Sequence, residues 1–217
     1  MIGVLVMAYG GPNTLDEVEP YLLDVRGYRP TAAHIIHEVR ERYRAIGGRS
    51  PILERTQAQA TALEAALNAD CRGRSETCLY KTFVGMRHWQ PFIKGALGEM
   101  AGLGTHCAVG LVMAPHYSRM SIGAYFKKID EAQSPVEVAR IEHWHLLPGY
   151  LDALAERVRE ALNRFPADAR PHVPIIFTAH SLPQRILEWN DPYPDELRAT
   201  VAGVVQRLSS PFGRGVG

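Results

Sequence analysis

The residues best suited to chemistry stand at the ends of short apolar runs. Residues 174–179 (PIIFTA) end at His180, which Ser181-Leu182-Pro183 follow. A histidine there can take up a proton or hold a divalent metal, because imidazole titrates near neutrality and is a common ligand. On these residues alone, a structural histidine bonded to backbone is an equal alternative. Residues 1–9 (MIGVLVMAY) end at Tyr9, before Gly10-Gly11-Pro12. Residues 78–85 (CLYKTFVG) lead to Arg87-His88, and 107–115 (CAVGLVMAP) lead to His116-Tyr117. Arg26, Arg42 and Arg49 follow the first run, and Arg42-Tyr43 precede Gly47-Gly48 by one helical turn. Guanidinium groups match ligand carboxylates in fork geometry, although solvated helix faces are the usual place of surface arginines. His143 and His145 flank Trp144. Two histidines at that spacing are weak evidence for a metal site, and a structural use is favoured.

The runs read as strands, and the segments between them as helices. Thr14 starts a T-x-x-E capping box with Glu17, which predicts a helix over 15–25. A second helix is expected over 31–45. Ser50-Pro51 then opens the clearest one, rich in Ala, Leu, Glu and Gln, to about residue 68. Further helices are expected over 91–101, 121–132, 151–164 and 194–208, and strands over 78–85, 107–115, 136–142 and 174–179. The run 107–115 suits a strand covered on both faces. Strands alternating with helices predict a mostly parallel α/β fold, whose ligands sit beyond the carboxyl ends of the strands. A domain change is expected at Leu147-Pro148-Gly149, with 1–147 as a first α/β domain and 148–208 as the incomplete start of a second. The tail 209–217 (SSPFGRGVG) reads as disordered or linker.

Composition removes several classes of function. The chain has 217 residues, with Lys+Arg 24 against Asp+Glu 23, so the net charge of +1 argues against a general nucleic-acid binder. No apolar run approaches the ~20 residues of a transmembrane helix. Cys71, Cys78 and Cys107 form no C-x-x-C, which excludes a zinc or iron–sulfur site built from them alone. Free thiols suit a reducing compartment, and a cytoplasmic location is expected. Neither dinucleotide nor P-loop glycine spacing occurs, and Ser181 lacks the G-x-S-x-G elbow.

The motifs L-V-M-A-Y-G-G-P (5–12), R-Y-x-A-I-G-G-x-S-P (42–51), A-P-H-Y-S (114–118), T-A-H-S-L-P (178–183) and D-P-Y-P (191–194) occur in one order over residues 2–208. This ordered set resembles the ferrochelatase family, and Tyr9 with the R-Y-x-A-I-G-G segment looks most like its coproporphyrin-using branch. The resemblance implies chelatase-like parallel sheets flanked by helices, in two similar domains with a porphyrin cleft between them. It implies a lyase of haem biosynthesis that inserts Fe²⁺, a substrate, into coproporphyrin III or a related porphyrin and requires no cofactor. Its iron donor is not named by the sequence. By the same resemblance His180 is the catalytic residue, at the metal and the pyrrole protons. Tyr9 approaches the iron of the product as an axial ligand. Arg26, Arg42, Tyr43, Ser50 and Tyr125, with Tyr9, hold propionates or line the cleft, while Arg87 and His88 mark an outer metal or entry site. Members continue for roughly another third of a chain, which carries a glutamate opposite the histidine. Neither Glu188 nor Asp191 matches it, so a partner glutamate is expected to be absent here. The alternatives are a truncated chain that binds porphyrin or haem without metallating it, and a chelatase for another tetrapyrrole and metal.

Overall fold

The computed structural model describes residues 1–71 and 79–209. The chain divides into two compact units, Met1–Ala114 with Ala124–Ile141, and Pro115–Gly123 with Glu142 onward. The turn Leu147-Pro148-Gly149 lies inside the second unit, with Pro148 in the first turn of a helix, where its missing N–H costs no hydrogen bond.

The first unit is built on a parallel sheet of β1 (Ile2–Ala8), β2 (Tyr80–Met86), β3 (Cys107–Val112) and β4 (Glu137–Ile141), in the order β2-β1-β3-β4. Parallel neighbours need crossovers. They are supplied by α1 (Val18–Val25), α2 (Ala33–Ala45) and α3 (Ile52–Cys71) between β1 and β2, α4 (Ile93–Gly102) between β2 and β3, and α5 (Ile122–Ala132) between β3 and β4. β1 is central, and its apolar run is buried from Gly3 to Ala8. Alternate side chains point to opposite faces. Val4 and Val6 pack with Ala60, Leu63 and Leu67 of α3. Leu5 and Met7 are wholly buried, as are Leu97 and Met100 of α4, and each buried Leu contributes about 1.5–3 kcal/mol. β3 alternates instead of being buried throughout, and Cys107 is exposed. Edge strand β4 is mostly exposed.

The capping box expected at Thr14 and Glu17 does not form. Glu17 makes no side-chain cap and α1 begins at Val18; its carboxylate accepts the Asn13 N–H at 2.6 Å and the Trp89 indole N–H at 2.8 Å. A tertiary donor has taken the local acceptor.

In the second unit α6 (Pro148–Leu162) packs on α7 (Tyr193–Ser209) around Leu151, Ala155 and Val204. Two 3₁₀ turns lie between these helices, at Arg170–His172 and Gln184–Trp189. The strand expected over 174–179 is absent. This segment is irregular, and Ile176 is 82% exposed. A strand is defined by a neighbour that accepts its backbone hydrogen bonds, and no other strand exists among the described residues of this unit. The expected tail lies outside the described residues from 210 onward, as does Cys78, while Ser209 closes α7.

Candidate functional site

The sheet order places a topological switch between β1 and β3, because the chain leaves β1 toward β2 on one side and returns to β3 on the other. In open α/β sheets the crevice at the carboxyl ends of such strands is where ligands bind. A cavity of about 650 Å³ lies elsewhere in this unit, beside Met86, Arg87 and Phe92. A smaller one of about 470 Å³ sits at the switch, lined by Met7 and Tyr9 from the end of β1, Met113 from the end of β3, Ser50 and Arg55 from the start of α3, and Tyr125 from α5. Position in the topology favours the smaller cavity.

The glycines after β1 shape it. Gly10 has φ of +90°, and a Cβ there would stand 2.9 Å from the Trp89 backbone nitrogen. A Cβ on Gly11 would stand 2.5 Å from Ser50 Oγ. Only glycine accommodates both the left-handed turn and the close approach. The Ser50 N–H donates to the Pro12 carbonyl at 2.8 Å, and Ser50 Oγ accepts from the Ile52 N–H at 3.4 Å. The start of α3 is thereby tied to the turn that carries Tyr9.

Charge and aromatic rings meet beside the cavity. The Tyr9 ring centroid lies 4.5 Å from that of His88. The Arg87 guanidinium lies 5.8 Å from the Tyr9 ring and 5.5 Å from the Tyr125 ring, within cation–π range. His88 is buried, with Nδ1 2.7 Å from Asp24 Oδ1. Burial lowers the His88 pKa, against the hydrogen bond to Asp24, so desolvation outweighs the carboxylate. Burial raises the Tyr9 phenol, with Arg87 opposing, and raises Tyr125 in the same way. Tyr43 is also raised by burial and shares a hydrogen bond with Tyr21. The phenols are therefore neutral donors at physiological pH.

Three of the residues singled out from the sequence, Tyr9, Ser50 and Tyr125, line one cavity. Arg26 is exposed at the end of α1. Arg42 is exposed on α2, where it pairs with Glu38 at 2.5 Å. Neither lines the cavity. Arg55 does, and it forms no ion pair among the described residues. Its signal was present as S-P-x-x-x-R, one helical turn after the cap, but the more numerous arginines upstream obscured it. Asp24, the partner of His88, had no signal, because the two are 64 residues apart.

In the second unit His180 is exposed, and its carbonyl accepts from the Tyr193 hydroxyl at 3.0 Å. No acidic side chain hydrogen-bonds or ion-pairs with it among the described residues. Asp191 and Glu196 are buried carboxylates with backbone duties. Asp191 accepts from Ser118 Oγ at 3.0 Å and the Arg119 N–H at 2.8 Å, and Glu196 from the Tyr117 N–H at 2.6 Å. His116 Nε2 lies 2.8 Å from Thr200 Oγ1.

A parallel α/β sheet with a tyrosine- and arginine-lined cavity at its switch point defines a small-molecule binding protein of the α/β class. A family model described as Ferrochelatase matches residues 1–214. A ferrochelatase of Herpetosiphon aurantiacus is 40% identical over 215 residues, covering 97% of this chain and 69% of that protein. One of Deinococcus radiodurans is 43% identical over 203 residues, covering 92% and 62%. A coproporphyrin III ferrochelatase of Listeria monocytogenes is 37% identical over 214 residues, covering 97% and 68%. The chain belongs to the ferrochelatase family, whose members are enzymes that insert a metal into porphyrin. It spans about two thirds of the length of these relatives. Among the described residues, no helix is long and apolar enough to cross a membrane.

Proposed function

We propose that this chain is a ferrochelatase acting on coproporphyrin III, with Fe²⁺ as its second substrate and no resident cofactor. The observation that carries the reading is the switch-point cavity, where Tyr9, Ser50 and Tyr125 meet beside Arg55, which forms no ion pair among the described residues. Supporting it is the similarity to a protein named for coproporphyrin III. The N-terminus of α3 and the Arg55 guanidinium supply positive potential for a carboxylate substituent. Arg26, Arg42 and Tyr43 are assigned to further carboxylates at the rim. Tyr9 is assigned to the iron of the product as an axial oxygen ligand. Its burial-raised pKa means that the phenol gives up its proton only on meeting that cation.

Metal insertion requires two pyrrole protons to leave and the hydrated cation to shed water. His180 is the proposed acceptor, since a neutral imidazole can take a pyrrole proton or hold Fe²⁺ while it dehydrates. His88, with Asp24 on one nitrogen, is assigned to an outer metal contact. Binding energy from the carboxylates would bend the macrocycle and expose nitrogen lone pairs. The scarcity of cysteine supports a cytoplasmic location.

A second reading, binding of the porphyrin without insertion, is favoured by one observation. His180 has no carboxylate partner among the described residues and lies on an unpaired, exposed segment. Anaerobic absorbance of coproporphyrin III with Fe²⁺ and this 217-residue chain separates the two. The first reading expects turnover that His180→Ala abolishes while porphyrin binding survives. Binding without turnover in the parent chain establishes the second reading. Equal loss of binding and turnover in His180→Ala overturns the role given to the histidine.

A further inference from the structure

The pair His143 and His145, weak evidence on their own spacing, gains a third member from a distant part of the chain. Glu196 of α7, 53 residues beyond His143, brings its carboxylate between the two rings. His143 Nδ1 lies 2.9 Å from Glu196 Oε1, and His145 Nδ1 lies 3.4 Å from Glu196 Oε2. One ligand atom from each of the three residues falls within 4.8 Å of the others. The rings of His143 and His145 stand 5.5 Å apart and nearly perpendicular.

His145 is more than nine-tenths buried, and its Nδ1 has no hydrogen-bond partner. An orphaned buried nitrogen costs about 1–3 kcal/mol unless something satisfies it. It stands beside a carboxylate oxygen without the geometry of a hydrogen bond to it. Glu196 is also buried, at 7% exposure. Its Oε2 accepts the Tyr117 N–H, and its Oε1 faces His143 Nδ1. The His143 side chain is 56% exposed, so the cluster opens to solvent on one side only.

The geometry points to a divalent transition-metal site formed by His143, His145 and Glu196, distinct from His180. Ligand bonds of about 2.0–2.2 Å in a tetrahedral site put ligand atoms about 3.3 Å apart. The two Glu196 oxygens already stand at such spacings from the imidazoles, Oε1 at 2.9 Å from His143 Nδ1 and Oε2 at 3.4 Å from His145 Nδ1. Two imidazoles and one carboxylate suit Zn²⁺, Co²⁺ or Fe²⁺ better than Mg²⁺ or Ca²⁺, which prefer all-oxygen sets. Three protein ligands leave a fourth position for water on the His143 side. The ion would join the turn that precedes α6 to α7, and so cross-link the two helices of this unit's core. Such an ion would stabilise the packing of α6 on α7 and would take no part in metal insertion.

The test uses the metal-free 217-residue chain with Co²⁺ as spectroscopic probe and Zn²⁺ as stabilising ligand. Co²⁺ should produce ligand-field bands of a four- or five-coordinate nitrogen and oxygen site. The bands should vanish in Glu196→Gln and His143→Ala and persist in His180→Ala. Zn²⁺ should raise the Tm of the parent chain and of His180→Ala. Because Glu196 also holds the Tyr117 backbone, His143→Ala is the decisive variant; its ring is half exposed, so its metal-free Tm should fall only by the lost contact with Glu196, while the Zn²⁺-dependent rise above that baseline is lost. Bands that survive His143→Ala, bands that disappear only in His180→Ala, or no bands at millimolar Co²⁺ overturn the site.

Discussion

His88 and Arg55 show how single residues acquire roles from their surroundings. Burial lowers the His88 pKa below its ordinary value of 6.5, so the native state keeps this imidazole neutral where the unfolded chain would protonate it. The unfolded state then binds more protons, and stability rises with pH across that window. The stabilisation is complete above pH about 6.5 and is lost as pH falls through the native value. His116 is lowered by the same cause and adds to the slope. Urea unfolding followed from pH 8 to pH 5 should show this loss. His88→Gln, which can still donate to Asp24 but does not titrate there, should flatten it; an unchanged slope would remove His88 from the account. Arg55 invites a different substitution. A charge-assisted hydrogen bond contributes roughly 1.5–3 kcal/mol, so Arg55→Ala should weaken coproporphyrin III binding by about tenfold or more. The tetramethyl ester should bind both proteins alike, and fluorescence titration reads the difference. Equal losses for acid and ester would dismiss the carboxylate contact.

At the scale of elements, β1 and the segment 174–179 make an instructive contrast. Both are apolar runs with histidine or tyrosine at the carboxyl end. β1 lies between β2 and β3, so its amides and carbonyls are paired and its side chains are buried. Among the described residues, no amide from 175 to 182 donates a backbone hydrogen bond. Phe177 and Thr178 instead line an apolar groove of about 720 Å³ with Leu154 and Val201. Amide exchange should therefore be slow in β1 and fast at Ile175–Phe177, since exchange reports protection by hydrogen bonds and burial. Protection at Ile175–Phe177 equal to that in β1 would mean that the segment finds a strand partner in solution.

At the scale of the whole molecule, binding and turnover are separable properties. A ligand held only by the native state stabilises it by RT ln(1 + [L]/Kd), about 2.7 kcal/mol at a hundredfold excess over Kd. Coproporphyrin III without iron should raise the Tm of the 217-residue chain whether or not insertion follows. No rise at any concentration would dismiss the catalytic reading and the binding reading together. A rise without turnover would leave only the second.

Much of the first unit was legible in the sequence because hydrophobic periodicity and turn residues act locally. The central strand, the Gly10-Gly11 turn, the Ser50-Pro51 start of α3 and the placement of α2, α4 and α5 within a few residues all follow from such signals. Ordered motifs also named the family, because a motif's residues are neighbours in sequence. Tertiary structure decided what depends on distant partners. It drew Glu17 from its expected cap to the Trp89 indole, set Asp24 against His88, and brought Glu196 to His143 and His145. It also left 174–179 without the strand its composition suggested. Apolar composition makes a segment competent to be a strand, but a hydrogen-bonded neighbour makes it one, and that neighbour is never local in a parallel sheet.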